Sequence, residues 1–308
     1  MEVIRIIEAT DSGNRIDKYL SEREDLALSR SHIQKLIKDG DATVNGKSIK
    51  ANYVLKAGDE ILLSLQEAKP VEILPQDIQL DILYEDEDLL IVNKPKDMVV
   101  HPAPGHEDNT LVNAVLYHCG DSLSGINGEI RPGIVHRIDK DTTGSLVICK
   151  NDAAHMVLAQ QLSVHSITRK YRAIVYGVLK DDTGTIHKTI GRDPKDRKKM
   201  AVGVVNGRDA TTHYRVLERF DGYTYIECTL ETGRTHQIRV HMASIGYPVL
   251  GDPVYAGRRK NSFETQGQVL HAYVLGFQHP KTGEYLEVTA PLPAYFEDLL
   301  ETLRRRTR

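Results

Sequence analysis

Tryptophan is absent from the 308 residues and phenylalanine occurs four times, whereas tyrosine occurs 14 times. Any ring stacking by this chain therefore falls to tyrosine, an apolar ring with a polar tip. Cysteine is scarce as well. Cys119, Cys149 and Cys228 lie far apart with no CxxC pair, a spacing that argues against a zinc ribbon or a disulfide framework and for free thiols. No apolar run approaches the length of a membrane span, so no transmembrane helix and no membrane partner are expected. The stretch MEVIRIIEATDSGNR holds no signal-peptide core, and a reducing cytoplasm is the expected location. Nor is there an excess of positive charge. Forty Lys and Arg against 43 Asp and Glu give a net charge of -3. That argues against a uniformly basic polyanion binder and leaves local basic patches open, because phosphates respond to nearby charge.

The length suits two domains. Residues 12–65 read as a small module. A short helix is expected over 15–20, and a second begins near Ser29 as N-cap, with Ile33, Leu36 and Ile37 on one face and Gly40 as its stop. A strand then enters the turn Asn45-Gly46, and ILLSL over 61–65 is a further strand. Residues 66–79, which begin QEAKPVEILP, read as a linker. A larger domain is expected over 80–298, with strands near 89–93, 146–149, 171–178, 212–216, 223–230 and 285–290. Helices are expected near 110–117 and 153–164. Strands and helices do not alternate regularly, which predicts an α+β domain whose central sheet is mixed and largely antiparallel, with flanking helices. Residues 299–308 read as a basic C-terminal tail that frays.

On the second helix of the module, Lys35 and Lys38 lie opposite the apolar face and Arg30 on its flank, with no acid between them. Such a face can follow a phosphate backbone, although a few lysines more often mark a solvated surface. The order RIDKYL, LSRSHIQKLIKDGDATVNGK, AGDEI resembles the S4 RNA-binding domain. That resemblance implies RNA binding and says nothing of chemistry.

The stretch HRIDKDTTG, residues 136–144, crowds His136, Arg137, Asp139, Lys140 and Asp141 ahead of the apolar strand SLVIC. Its DxDxT spacing fits magnesium-dependent phosphatases that form an aspartyl phosphate. Such a nucleophile normally ends a buried strand, however, and here the strand follows the motif. An Asp-rich turn closed by Gly144 is a third reading. NKP at 93–95 with His101-Pro102, HRIDKDTTG, KYRA at 170–173, TGRTHQIR at 232–239 and GDPVY at 251–255 occur in this order. Together they resemble the RluA-type RNA pseudouridine synthases, over about residues 80–293, and the module in front resembles the large-subunit ribosomal branch. One departure stands out: Asp97 occupies the place of the glycine in NKPxG, which puts the geometry of that loop in question.

The resemblance implies isomerisation of uridine in 23S-type large-subunit ribosomal RNA. The N1–C1' bond breaks, the base turns, and C5 bonds to C1'. The formula is unchanged, so no cofactor and no metal are implied. Asp139 aligns with the catalytic aspartate, a role suited to a carboxylate because it can attack or stabilise a developing sugar cation. Arg239 aligns with the arginine that pairs with it; alone, Arg239 would be read as a structural ion pair. Tyr171 aligns with the tyrosine that stacks on the target base and helps remove the C5 proton, offsetting part of the cost of flipping the base. By itself it would be read as a core residue. His136 and Arg137 are expected to shape the active loop or meet phosphate, and Arg234 and His236, with Arg30, Lys35 and Lys38 in the module, to bind RNA. His236 and His241, five apart, would leave a helix about 140° apart, unsuited to zinc. The basic run 192–199 is either a solvated hairpin or a second RNA contact. A monomer with no obligatory protein partner is expected, and a non-catalytic RNA-binding protein is the remaining alternative.

Overall fold

A computed structural model of the protein describes residues 2–6, 11–23, 26, 28, 30–64, 73–103, 105–120, 122–126, 132–196 and 199–307, with backbone alone for 2–6, 31 and 32. The chain divides into two units, Met1–Val71 and Glu72–Arg308. In the first, β1 (Glu2–Ile6), α1 (Ile16–Ser21), α2 (Arg30–Asp39), β2 (Ala42–Val44), β3 (Lys47–Ser48) and β4 (Glu60–Ser64) form an antiparallel sheet, order β1-β4-β2-β3, with two helices packed on it. Asn45 and Gly46 both take positive φ, the hairpin turn whose twist matches that of its strands. Ile33, Leu36 and Ile37 of α2 are buried with Ile16 and Leu20 of α1 and Ile61 and Leu63 of β4. The apolar spacing thus sets which face of α2 is covered. The expected Ser29 cap lies outside the described residues.

The second unit runs β5 (Ile82–Glu85), β6 (Leu89–Lys94), α3 (Leu111–Cys119), β7 (Thr143–Cys149), α4 (Asp152–Ser163), β8 (Thr168–Tyr176), β9 (Thr183–His187), β10 (Ile190–Arg192), β11 (Met200–Val202), β12 (Thr211–Phe220), β13 (Tyr223–Leu230), α5 (Gln237–Ser244), β14 (Leu270–Gln278), β15 (Tyr285–Thr289) and α6 (Ala294–Thr307). Its large sheet has the order β5-β6-β7-β14-β8-β13-β12-β9, with β15 also on β14. Every pairing is antiparallel except β7 with β14. This is the mixed, largely antiparallel α+β architecture.

The parallel pairing is only two residues long, Thr143 opposite His271 and Gly144 opposite Ala272. Side chains reinforce it: Thr143 Oγ1 and His271 Nδ1 lie 2.7 Å apart, and Ser145 Oγ donates to the Ala272 carbonyl at 3.0 Å. Gly144 has φ 110°, and a Cβ there would collide with the Ala272 backbone, so only glycine lets the strands approach. The same row continues from Ala272 to Tyr171 and on to Cys228. Two strand spacings, roughly 10 Å, thus separate the head of β7 from the strand that carries Tyr171. Over this face lies α5, with Ile238 and Met242 buried against Ala173, Val175, Ile226 and Cys228.

Two expectations need correction. Residues 299–307 do not form a frayed tail. Phe296, Leu299, Leu300 and Leu303 make one buried stripe of α6, the helical spacing that makes an amphipathic helix. Its arginines are engaged as well: Arg304 pairs with Glu218 and Arg305 with Glu301, and Arg306 lies over the Phe263 ring. The expected linker is also shorter than 66–79. Residues 66–72 lie outside the described ones, but Gln76 N–H donates to Asn113, Asn113 Nδ2 to Leu74, and Asn109 N–H to the Gln76 side chain. These bonds fix the stretch to the start of α3, whose Thr110 and Asn113 form a capping box.

Candidate functional site

The turn that carries Asp139 is held from below by a lysine. Lys94 ends β6 and is fully buried. Its ammonium donates to three carbonyls, Pro95 at 2.7 Å, Met98 at 2.8 Å and Lys140 at 2.9 Å. Three N–H groups meet three acceptors, so one side chain ties the NKP loop to the HRIDKDTTG turn. Burial pushes the Lys94 pKa down to about 7, against the pull of Asp141, Asp139 and Asp97. The turn itself closes from Thr142 N–H to the Asp139 carbonyl. Asp97 takes φ 64°, the left-handed backbone a glycine would supply and one that aspartate tolerates. Its carboxylate pairs with Lys140 at 2.8 Å, which links this loop to the HRIDKDTTG turn.

Above the turn, α5 delivers Arg239. Nη1 donates to Asp139 Oδ2 at 2.8 Å, while Nε and Nη2 grip both oxygens of Asp252 at 2.7 and 3.1 Å. Asp252 also accepts from the Val254 and Tyr255 N–H groups. Arg239 is thus a buried cation between two carboxylates, one fully buried and bidentate, the other partly open to the cleft. Burial disfavours its charge, but the bonds to Asp252 and the field of Asp139 outweigh that and hold its pKa above the usual arginine value. A fork gripped on one side has little freedom left, so it aims Asp139 as well as neutralising it.

The loop into α5 is fixed by Gln237. Its Oε1 accepts from Arg234 N–H and Thr232 Oγ1, and its Nε2 donates to Thr211 and Thr212. His236 caps α5 at φ 56°, a strained setting for a non-glycine residue and one often found at functional sites. Its Nδ1 meets Tyr255 Oη at 2.9 Å and its Nε2 lies 3.8 Å from Asp139. Burial lowers its pKa, with Asp139 opposing. His241 faces elsewhere, towards Thr212 and the Lys188 carbonyl.

One cleft gathers Arg137, Asp139, Tyr171, Arg234, His236 and Arg239. Tyr171 is half-buried on β8, and burial raises its phenol pKa, Arg169 opposing and Asp139 adding to the rise. Arg137 is exposed, with Nη1 2.9 Å from His101 Nε2, and Arg234 donates from Nε to the Asp209 carbonyl. Two of the expected RNA contacts also have partners within the protein. His136 turns into the protein, its Nε2 accepting from Val147 N–H at 3.1 Å. Arg30 caps Asp17 at 2.9 Å; burial raises the pKa of that acid, and Gln34, Arg15 and Arg30 together pull it far below the usual range. Lys35 and Lys38 remain exposed on α2. Gly267 packs on the Asp141 carboxylate, which therefore lines a wall of the turn. The phosphatase alternative gains no support. Among the described residues, the one cation-competent group of acids and histidine is Asp86, Asp88 and His279. It lies at the other end of β6 from the Asp139 turn. No described helix is long and apolar enough to cross a membrane.

Sequence reasoning gave no role to Lys94, Asp252, Tyr255 or Gln237. The first three sit inside or beside the NKP and GDPVY blocks, and Gln237 inside TGRTHQIR, so their position was a signal but their partners were not.

Taken together, a narrow cleft offers an aimed carboxylate, a tyrosine ring and several cations: a site for sugar and base chemistry on a polyanion. Comparison with known proteins agrees. The RNA pseudouridylate synthase family profile matches residues 88–244, and the S4 domain profile matches residues 14–61. The RNA pseudouridine synthase YlyB of Bacillus subtilis is 54% identical over 95% of each chain. A Pseudomonas aeruginosa protein named ribosomal large subunit pseudouridine synthase D is 47% identical over 90% of this chain and 88% of its own. Human RNA pseudouridylate synthase domain containing 1 superposes with a TM-score of 0.58 at 26% identity, over 78% of this chain and 98% of its own. The chain belongs to the RNA pseudouridine synthases, as an RluA-type member with an N-terminal S4 domain. Its activity is the isomerisation of uridine in RNA.

The setting of His136 gives a pH prediction. Burial, with Arg169 adding, lowers its pKa from 6.5 to about 4, so the folded protein keeps it neutral while the unfolded chain takes up a proton first. The stability it contributes is complete above 6.5 and is lost as pH falls towards 4. His136→Gln should therefore lose less stability than the wild type between about pH 7.5 and about pH 5, by about 2 kcal/mol in urea unfolding. Equal losses would contradict a His136 held neutral by the fold.

Proposed function

We propose that this chain converts specific uridines of large-subunit ribosomal RNA to pseudouridine, acting in the cytoplasm as a monomer, with Asp139 as the working acid. One observation carries the role of Asp139: its carboxylate is held at 2.8 Å by an arginine whose other edge is locked onto a second, buried aspartate. The arrangement leaves an oxygen of Asp139 facing the cleft it shares with Tyr171. A carboxylate fixed in this way can add to C1' or stabilise a cation forming there while N1 leaves. Tyr171 provides the face on which the freed base turns. Arg137, Arg234 and His236 on the cleft walls meet the flanking phosphates. The relatives named for the ribosomal large subunit support that RNA as the target.

The S4 module, over residues 12–65, adds the exposed Lys35 and Lys38 of α2 as backbone contacts, without reading bases. The synthase domain occupies residues 80–298 together with the rest of α6.

Asp139→Asn keeps size and hydrogen bonding but removes the charge. It should abolish conversion of a ribosomal RNA fragment while its affinity, measured by filter binding, stays within about twofold of the wild type. Full conversion by this variant would refute the assignment. In the module, Lys35→Glu combined with Lys38→Glu should weaken binding and flatten its salt dependence by about one to two units of slope, since each lost phosphate contact removes roughly one. An unchanged affinity and slope would remove these lysines from the interface.

A further inference from the structure

Arg169 precedes Tyr171 by two residues on β8, so both side chains leave the same face of the strand. It is only 7% exposed, yet among the described residues no carboxylate pairs with it. Nη2 donates to the Glu231 carbonyl at 2.8 Å, and Nε is buried without a hydrogen-bond partner. Gly233 makes the seat possible: a Cβ there would come within 2.5 Å of Arg169 Nη1. The loop 231–236 thus closes over the guanidinium. Tyr171 lines the cleft and Arg169 does not, so this buried cation stands beside the ring along the strand and away from the cleft's lining.

A buried guanidinium without a counter-anion is costly. Such a group is useful where negative charge develops for part of a reaction, because a cation already in place stabilises that charge without reorganisation. The other titratable groups around the ring are distributed unevenly. Asp139 on the turn before β7 opposes a phenolate. Arg137 on the same turn, Arg234 and His236 on the loop after β13, and Arg239 on α5 line the cleft in front. Arg239 is already neutralised by two carboxylates, and His136, near Arg169, is neutral.

We propose that Arg169 is a positioning residue for the isomerisation, the cation that stabilises Tyr171 as a phenolate so that it can accept the proton from C5. The proposal rests on the roles given above to Asp139 and Tyr171. Once C5 has bonded to C1', C5 carries both the sugar and its hydrogen, and C6 is doubly bonded to N1. The phenolate oxygen takes that hydrogen as a proton. The C5–H electron pair becomes the C5=C6 bond, the C6=N1 pair returns to N1, and N1 takes a proton from water. Tyr171 then returns its proton to solvent, so atoms and charge balance. Consistent with this placement, Arg169 lowers the phenol pKa of Tyr171 against the rise that burial and Asp139 produce.

The test compares Arg169→Met, Arg169→Lys and the wild type, each full length. The titration of Tyr171 is read as the phenolate absorbance lost on adding Tyr171→Phe to each background. Single-turnover conversion is followed against pH in parallel. In Arg169→Met, the Tyr171 titration and the acidic limb of the rate profile should both move up by about one unit or more, with at least about a tenfold loss of rate at neutral pH. RNA affinity should stay within about twofold, and Arg169→Lys should remain close to the wild type. Fluorotyrosine at position 171, a more acidic phenol, should restore the rate of Arg169→Met. If Arg169→Met does not fold, Arg169→Gln serves in its place. An unmoved Tyr171 titration, or a moved titration with an unmoved rate profile, overturns the proposal. Failure of the underlying reading shows separately, as conversion retained by Asp139→Asn.

Discussion

A guanidinium shared between two carboxylates is the contact on which the rest of this site depends. Arg239 grips Asp252 with two nitrogens and Asp139 with the third. Neither half would suffice. Arg239 with Asp139 alone would be a partly solvated pair, free to swing. Arg239 with Asp252 alone would be a structural bridge with nothing to aim. Burying three charges together is expensive, and a broken member would leave an unpaired charge costing about 3–5 kcal/mol. The fold accepts that cost where the geometry of one carboxylate matters most.

The rest of the larger unit can be understood as what brings the two ends of that contact together. Asp139 and Arg239 are 100 residues apart in sequence. A two-residue parallel pairing brings the head of β7 beside β14, and Gly144 permits the approach. Lys94 then fixes the turn by its three carbonyls, while Gln237 fixes the loop from which α5 starts. Tyr171 enters through the same row of strand neighbours. The cleft is therefore set by sheet register and by two buried polar anchors, and its walls do not depend on a flexible loop alone.

Much of this was legible in the sequence where the signal is local. The apolar face of α2, the Asn45-Gly46 turn and the strand at 223–230 follow from periodicity and turn chemistry. The blocks HRIDKDTTG and TGRTHQIR marked both ends of the central contact by resemblance. Partner choice was not legible. Nothing near Arg30 shows that it will close on Asp17, and nothing near His136 shows that its nitrogen will accept from Val147. Both were expected to meet RNA, and neither partner could be foreseen because sequence spacing carries no information about contacts made across the fold. The arginines at 304–306 misled in the same way. Charge at the end of a chain suggested fraying, while Leu299, Leu300 and Leu303 were anchoring the helix beneath it. Asp97 worked in the opposite direction, since it replaces an expected glycine yet takes the same left-handed backbone.

The central claim is that a fork locked on Asp252 aims Asp139, and that positive charge alone would not do so. Arg239→Lys separates the two, because lysine keeps the charge but cannot bridge two carboxylates with a planar fork. Single-turnover conversion of a ribosomal RNA fragment, measured beside its binding affinity, is the direct test. The account predicts binding within about twofold of the wild type and conversion slower by at least about a hundredfold, the scale expected when a reacting group is misplaced by about an ångström. Conversion within a few fold of the wild type would contradict it.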